Sequence, residues 1–206
     1  MSRLTKLEAA NQVLSSIGEA PVNTIEGQTS MMARLAVREL DKTTRSVQLE
    51  PWHFNRVREM TLSVDATTGF IQVPESVSRF DVPDEPSVIV RGDRLFDRAR
   101  NSFVFDRGVT GSAIILLSFE ELPEEAKELV VAQASKQLYA QHVGSAEGQR
   151  NLYELWVQAR ALMVDWDCEM ADYNMMDDPT MPFFRGSYLV PGAPRNGYEY
   201  TRRLNS

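Results

Sequence analysis

The sequence is poor in the residues that most catalytic and metal centres need. Its 206 residues include one cysteine, Cys168, and two histidines, His53 and His142. One cysteine cannot form an internal disulfide, and these three residues are too few for an ordinary Cys/His zinc cluster. We therefore predict no disulfide, no cofactor and no metal, and a reducing compartment as the natural surroundings of the chain.

Basic charge and long apolar runs are also lacking. The chain has 22 Lys and Arg against 29 Asp and Glu, a net charge of −7, so as a whole it does not attract nucleic acid. No stretch reaches the roughly 18 apolar residues of a membrane span, and the segment from Met1 to Leu14 lacks the apolar core of a signal peptide. We expect a chain that stays in solution, contacts no membrane and binds DNA at most locally.

Helical patterns occupy both ends of the chain. The capping-box pattern of Thr5 and Glu8 predicts a first helix to about Ile17, and Pro51 ends a second helix that begins near Met31. Two more helices are predicted from about Pro123 to His142 and after Ser145; their short link favours an antiparallel hairpin. The stripe that the fourth helix is expected to bury is Leu152, Leu155, Trp156, Ala159, Leu162, Trp166 and Met170.

The middle of the chain has the alternation of β-strands. Met60, Leu62 and Val64 alternate with polar residues, and short apolar runs continue to Phe119. Turn signals at Gly92-Asp93 and Arg107-Gly108 predict that the later strands form a meander of consecutive hairpins. The expected fold class is therefore α+β: a core like a four-helix bundle (1–51 and 120–177) with an inserted antiparallel β region (52–119).

The last segment, 178–206, has a different composition. It is rich in proline and glycine, as a loop is, yet it also carries aromatic residues that it cannot bury by itself. We interpret it as an extended C-terminal arm that orders on another subunit or partner; the alternative is a tail folded back on its own domain. The aromatic residues assigned to that contact are Phe183, Phe184, Tyr188, Tyr198 and Tyr200.

Two charged groups are candidates for interaction surfaces. Along the second helix a basic stripe recurs at helical spacing, and it suits a solvated face, a neighbouring subunit or local phosphate contacts. Near the end of the fourth helix an acidic cluster would repel DNA and let it slide past. Two opposite patches on one chain also suit head-to-tail contacts in a ring. The basic stripe is Arg34, Arg38, Lys42 and Arg45, and the channel-facing acidic residues are Asp165, Asp167, Glu169 and Asp172.

An enzyme is the competing hypothesis. Paired carboxylates such as Glu120-Glu121 and Glu124-Glu125 could serve glycan hydrolysis. Acidic residues are also what a helix N-terminus attracts, and the motifs of serine hydrolases and phosphate-binding loops are missing. We therefore expect no catalytic residues, with a carboxylate-pair glycan hydrolase as the alternative.

Several stretches carry a resemblance to a known family. The most specific is ANQVLSSIGEAPVNTIEG, from Ala10 to Gly27, and the others follow it in the same order along the chain. These stretches resemble tail tubular protein A of T7-like, short-tailed bacteriophages, and the likeness covers about residues 7–177. The other matching stretches are Trp52-x-Phe54-Asn55, Phe96-Asp97-Arg98, Leu122-Pro123-Glu124, Ala134-Ser135-Lys136-Gln137 and Tyr173-Asn174-Met175.

The resemblance implies a structural role in the virion. Members of this family are head-to-tail adaptors, or gatekeepers, that form a dodecameric ring around the DNA exit channel. The ring joins the portal protein to the nozzle, tail tubular protein B, and the passing DNA is not bound in a sequence-specific way. The implied location is the virion tail, assembled in the host bacterial cytoplasm, and no catalytic residue comes with the resemblance.

Overall fold

A computed structural model of the protein describes residues 3–27 and 30–170. The segment Met1–Asp167 forms one compact unit; of the second unit, Cys168–Ser206, only the last helical turn is described. The predicted arm at 178–206 and its aromatic residues lie outside the described residues. The helices are α1 (Lys6–Ser16), α2 (Met31–Val47), α3 (Glu124–His142) and α4 (Ala146–Met170), and the strands are β1 (Arg56–Leu62), β2 (Val77–Asp81), β3 (Val88–Arg91), β4 (Arg94–Asp97) and β5 (Val109–Ile115).

The predicted start of α1 is confirmed in atomic detail. The hydroxyl of Thr5 accepts a hydrogen bond from the backbone N–H of Glu8 at 3.3 Å, and the Glu8 carboxylate accepts one from the N–H of Thr5 at 2.9 Å. The bonds from Thr5, backbone first, hold the pKa of Glu8 below its ordinary value. Gly18 ends this region with a φ of 80°, which a glycine adopts without strain. A capping box therefore sets where the helical half of the fold begins.

The helical core is built by α1, α2 and α3, which pack directly on one another. Helix α4 joins this core through side chains on one of its sides, and only Met163 among them is completely buried. Its other apolar contacts to the core come from the half-buried Trp156, Ala159 and Trp166. The described residues confirm a mixed α+β protein, but not a regular four-helix bundle.

The stripe predicted for burial on α4 is partly wrong. Leu155 is 54% exposed and Leu162 is 63% exposed, and Met170 is also exposed, whereas the unpredicted Met163 is fully buried. Apolar residues occupy more of the circumference of α4 than one contact face can cover, so periodicity alone does not tell which side meets the core. Leu155 and Leu162 are therefore among the apolar side chains of α4 that lie outside the buried core.

The β region contains two small sheets. In the larger sheet the strand order is β1-β5-β2, with β5 antiparallel to both neighbours. Strands β3 and β4 form a separate hairpin around Gly92-Asp93, where Arg91 pairs with Arg94. The turn at Gly92-Asp93 is thus confirmed, but the meander of later strands is wrong, because β5 runs between β1 and β2 and not beside β4. Strand order depends on which strands bury their apolar faces together, and turn residues do not encode it.

The two halves have separate apolar cores. The sheets enclose Ile71, Leu95 and Val109, among others, and none of these belongs to the helical core. Trp52 and Phe119, at the two ends of the β region, pack with the helices. The exact boundaries at 51/52 and 119/120 remain a prediction. Phe54 and Leu117 also pack on the helical core, so several side chains near both ends attach the β region to the helices. None of the described helices is long and apolar enough to cross a membrane.

Candidate functional site

The basic stripe lies on one exposed side of α2. Ser30 precedes this helix and accepts a hydrogen bond from the N–H of Ala33 at 3.4 Å, which fixes where the stripe begins. All four side chains are exposed, and within residues 3–27 and 30–170 only Lys42 has partners, Glu39 at 2.8 Å and Gln137 at 3.2 Å. Met31, 67% exposed, stands at the start of the same side. We call this surface, Arg34, Arg38, Lys42 and Arg45, the basic face.

The acidic cluster of α4 is divided in the structure. Asp165 and Glu169 are exposed, but Asp167 is half-buried and accepts a hydrogen bond from the backbone N–H of His53 at 2.6 Å. Asp167 thus ties α4 to the segment before β1. Asp172 lies outside the described residues. Whether the exposed members face a channel stays a prediction.

Sequence reasoning missed two acidic residues that share a side of α4 with Asp165. Glu147 and Glu154 are exposed, and intervals of 7 and 11 residues bring all three to one side of an α-helix. Leu155 and Leu162, at a spacing of seven residues, lie along the edge of this surface. The seven-residue spacing of Glu147 and Glu154 is visible in the sequence. It was overlooked because the neighbouring Leu155 and Leu162 were predicted to be buried. We call Glu147, Glu154 and Asp165 the acidic face.

A groove of about 510 Å³ separates α4 from α1 and α3. Leu155 and Leu162 belong to its lining on the α4 side, and Ser15 and Val131 belong to the opposite walls. The apolar edge of α4 therefore borders an open groove.

A lysine holds the other side of α4 to α3. The ammonium of Lys136 lies 3.6 Å from the centre of a Trp156 ring, a cation–π contact between the two helices. Burial lowers the pKa of Lys136. At Gly148 a Cβ would overlap the hydroxyl of Tyr139, so the chain also passes close to α3 where α4 begins. Helix α4 thus meets α3 at these points and leaves its acidic face free.

The β3–β4 hairpin presents a second surface that the sequence analysis did not find. The guanidinium of Arg91 lies 3.8 Å from the centre of the Phe96 ring, and that of Arg94 lies 4.8 Å from the centre of Phe70. Phe103 stacks at 4.8 Å between ring centres with Phe96. Arginine and aromatic side chains are the residues enriched at the centres of protein interfaces. The only sequence signal was the aromatic spacing, which a buried strand explains equally well.

The carboxylates considered for hydrolysis act as structural caps. Glu120 accepts a hydrogen bond from the N–H of Lys6 at 3.1 Å, and Glu124 accepts one from the N–H of Leu4 at 3.0 Å. The bond from Leu4, together with Lys127 at 2.9 Å, holds the pKa of Glu124 below its ordinary value. A general acid in glycan hydrolysis needs a raised pKa. Glu120 and Glu124 are therefore engaged in joining α1 to α3, and this arrangement gives the alternative of an acid/base pair no support.

A neighbouring carboxylate has the same kind of role. Glu121 caps a short 3₁₀ turn, and its hydrogen bonds from Ser118, side chain first, lower the pKa of its carboxyl group. Among residues 3–27 and 30–170, no three His, Cys, Asp or Glu side chains come together as a metal site requires. The exposed features of this part of the chain are the charged faces of α2 and α4 and the apolar side chains beside them, and such surfaces can bind other proteins.

The comparisons with known proteins agree with the resemblance found in the sequence. The family model described as "Tail tubular protein" matches residues 7–173. The chain is also 30% identical over 150 residues to "Tail tubular protein A" of Klebsiella phage KP34, which covers 72% of this chain and 78% of that protein.

The chain belongs to the tail tubular protein family. It is accordingly a structural protein of the phage tail, and its location is the virion tail.

The family match covers both candidate faces of this tail tubular protein. Residues 7–173 include α1 from its second residue, the other three described helices and the five described strands, and with them the basic face, the acidic face and the β3–β4 hairpin. The match stops before Phe183, the first aromatic residue assigned to the arm. The family is structural, so the hydrolase alternative gains no support from it, in agreement with the use of Glu120 and Glu124 as caps.

Proposed function

We propose that this protein is the head-to-tail adaptor, or gatekeeper, of a short-tailed phage. Copies of the chain form a dodecameric ring that joins the portal protein to the nozzle protein, tail tubular protein B. The viral DNA passes through the ring during ejection without sequence-specific binding. Assembly takes place in the host cytoplasm, and the protein acts by shape and surface, with no chemical step.

The observation that carries this proposal is the presence of two different exposed charged faces on one copy. The basic face lies on α2 and the acidic face on α4, so one copy carries two unlike surfaces that can each bind a neighbour. Contacts between two unlike patches generate closed rings when the rotation between copies closes.

The β3–β4 hairpin and the arm supply contacts above and below the ring in this proposal. Arg91 and Arg94, stacked on Phe96 and Phe70, offer a surface to the next tail component. The C-terminal segment 178–206 reaches a neighbouring copy or the portal. The negative charge of the whole chain keeps passing DNA from adhering.

Co-expression with the portal protein of the same phage tests the proposal. We expect the two proteins to purify together as a particle in which electron microscopy shows a twelve-fold ring of this protein on the portal. The protein alone is a poor test, because ring contacts can depend on the portal as a template. A chain that stays monomeric and never joins portal particles would overturn the proposal.

Deletion of 178–206 examines the arm separately. We expect the shortened chain to fold, since the described cores lie outside this segment, and to form fewer portal-bound rings. A matched variant keeps the full length of the chain but loses the aromatic side chains of the arm. In it, serine replaces Phe183, Phe184, Tyr188, Tyr198 and Tyr200. Normal assembly of both variants would remove the arm from the proposal and leave the ring itself standing.

A further inference from the structure

We propose that the acidic face of α4 binds the basic face of α2 on a neighbouring copy of the same chain, and that this is the contact that closes the ring. The inference rests on the proposed ring and adds the residues that form its interface. Most of these charges have no partner inside their own copy. Lys42 pairs with Glu39, but among residues 3–27 and 30–170 the ion pairs include none of Arg34, Arg45, Glu154 and Asp165.

The charges on the two faces have the same spacing. Arg34 and Arg45 are eleven residues apart on α2, and Glu154 and Asp165 are eleven residues apart on α4. Eleven residues make three helical turns, so each pair lies on one side of its helix and spans about 16 Å. When the two helices lie side by side, both ion pairs can form together. Such a match in spacing fixes the register of the two helices in either a parallel or an antiparallel arrangement.

Apolar surface accompanies the charges on both helices. Leu155 and Leu162 run beside the acidic face, and Met31 stands at the start of the basic face, all of them more than half exposed. Exposed ion pairs contribute little affinity by themselves, but they select the partner and its orientation. The burial of the leucines and the methionine supplies the affinity. Each helix thus carries both elements of an interface, with opposite charge.

The two faces differ from each other, and this decides the kind of assembly. A basic face repels a second basic face, and an acidic face repels a second acidic face, so a symmetric dimer through either one is disfavoured. Contact between unlike faces leaves one free face of each kind on every dimer, and further copies add until the ring closes. The charge pattern therefore favours a ring over a two-fold dimer.

Charge reversal tests the pairing on portal-bound rings. Arg34→Glu with Arg45→Glu should reduce ring particles about tenfold or more, and Glu154→Arg with Asp165→Arg should do the same. The chain that carries all four changes should form rings again, because the opposite charges are restored with exchanged places. Circular dichroism and thermal unfolding establish that each variant is folded.

A control variant separates a local effect from one of net charge. Arg58 and Arg79 are exposed on β1 and β2, and Arg58→Glu with Arg79→Glu changes the net charge as much as the α2 variant does. We expect this control to keep its rings. The pairing alone would be overturned if rings survive the reversal on α2 and the reversal on α4. It would also be overturned if the chain with all four changes folds but forms no rings. A wild-type chain that forms no ring with portal would overturn the proposed function as well.

Cross-linking distinguishes contact between unlike faces from contact between like faces. In a Cys168→Ser chain, Arg34→Cys with Glu154→Cys places facing thiols on parallel helices, and Arg34→Cys with Asp165→Cys does so on antiparallel helices. A short bismaleimide is the suitable reagent, since residues joined by a long ion pair are too far apart for a disulfide. One of these two double variants in portal-bound rings should give a ladder of covalent oligomers, and each single variant should stay monomeric. Covalent dimers of the single Glu154→Cys chain would overturn the inference, because they require contact of α4 with α4.

Discussion

Two neighbouring residues of α4 separate folding from assembly. Met163 is completely buried in the helical core, and Leu162, the residue before it, is 63% exposed. We predict that Met163→Ala lowers the free energy of unfolding strongly, whereas Leu162→Ala leaves it almost unchanged and weakens ring formation. The pair is well matched, since both changes remove a large apolar side chain from the same turn of one helix.

The expected magnitudes follow from burial. Replacing a fully buried methionine by alanine removes its contacts and leaves a cavity, which costs about 2–5 kcal/mol. In a protein of this size that loss lowers Tm by roughly 4–20 °C. A substitution at an exposed position changes stability by at most about 0.5 kcal/mol. The two variants should therefore be distinct in one unfolding experiment.

Urea unfolding of the protein without portal measures the stability. Circular dichroism and tryptophan fluorescence, to which Trp156 and Trp166 on the same helix contribute, monitor the unfolding. An unchanged slope with denaturant, together with a lower midpoint for Met163→Ala, is the expected pattern. Co-purification with portal then measures assembly, and here Leu162→Ala should have the lower yield of rings. Equal destabilisation by the two variants would refute the reasoning, because Leu162 would then be packed against its own chain and could not serve a neighbour.

Three other predictions concern the fold. Glu124→Gln should make Tm less sensitive to acid. Because the pKa of Glu124 is lowered in the folded state, its carboxylate stabilises the protein at pH values above the ordinary pKa of 4.5, and this stabilisation disappears as pH falls through the folded-state pKa. A difference in Tm between wild type and variant that stays constant between pH 7 and 3 would contradict this prediction. Gly111→Ala should prevent folding of the sheet, visible as lost β signal in circular dichroism, because its Cβ would overlap the carbonyl oxygen of Asp81. Arg160→Ala should lower stability by at most about 1 kcal/mol in urea unfolding, since its ion pair with Glu50 at 2.9 Å is partly exposed; a larger loss would show that α4 depends on that pair.

The helix ends were predictable because their signals are contiguous. Thr5 and Glu8 form the capping box that the sequence indicates, and the turn at Gly92-Asp93 lies between two paired strands, as expected. Each of these features requires only a few neighbouring residues. For the same reason the sequence places the basic face on one side of α2, because helical spacing alone determines which side chains lie together.

The acidic surface could be predicted only in part. Asp165 is exposed, but Asp167 turns to the backbone of His53, which lies more than a hundred residues earlier in the chain. The caps of α1 by Glu120 and Glu124 likewise join segments far apart in sequence. No local pattern distinguishes a carboxylate with such a distant partner from a solvated one. The hydrolase alternative arose from this ambiguity.

The sequence by itself determined the family, the helix ends and the charge pattern of each helix, because short-range hydrogen bonding and periodicity are written in neighbouring residues. Only the tertiary structure decided that β5 lies between β1 and β2, that Met163 and not Leu162 is buried, and that the acidic face of α4 remains open. Those choices depend on how distant segments exclude water from a shared core. Helix α4 has more apolar surface than one core can cover, and the packing of the whole chain determines which part is left for a neighbour.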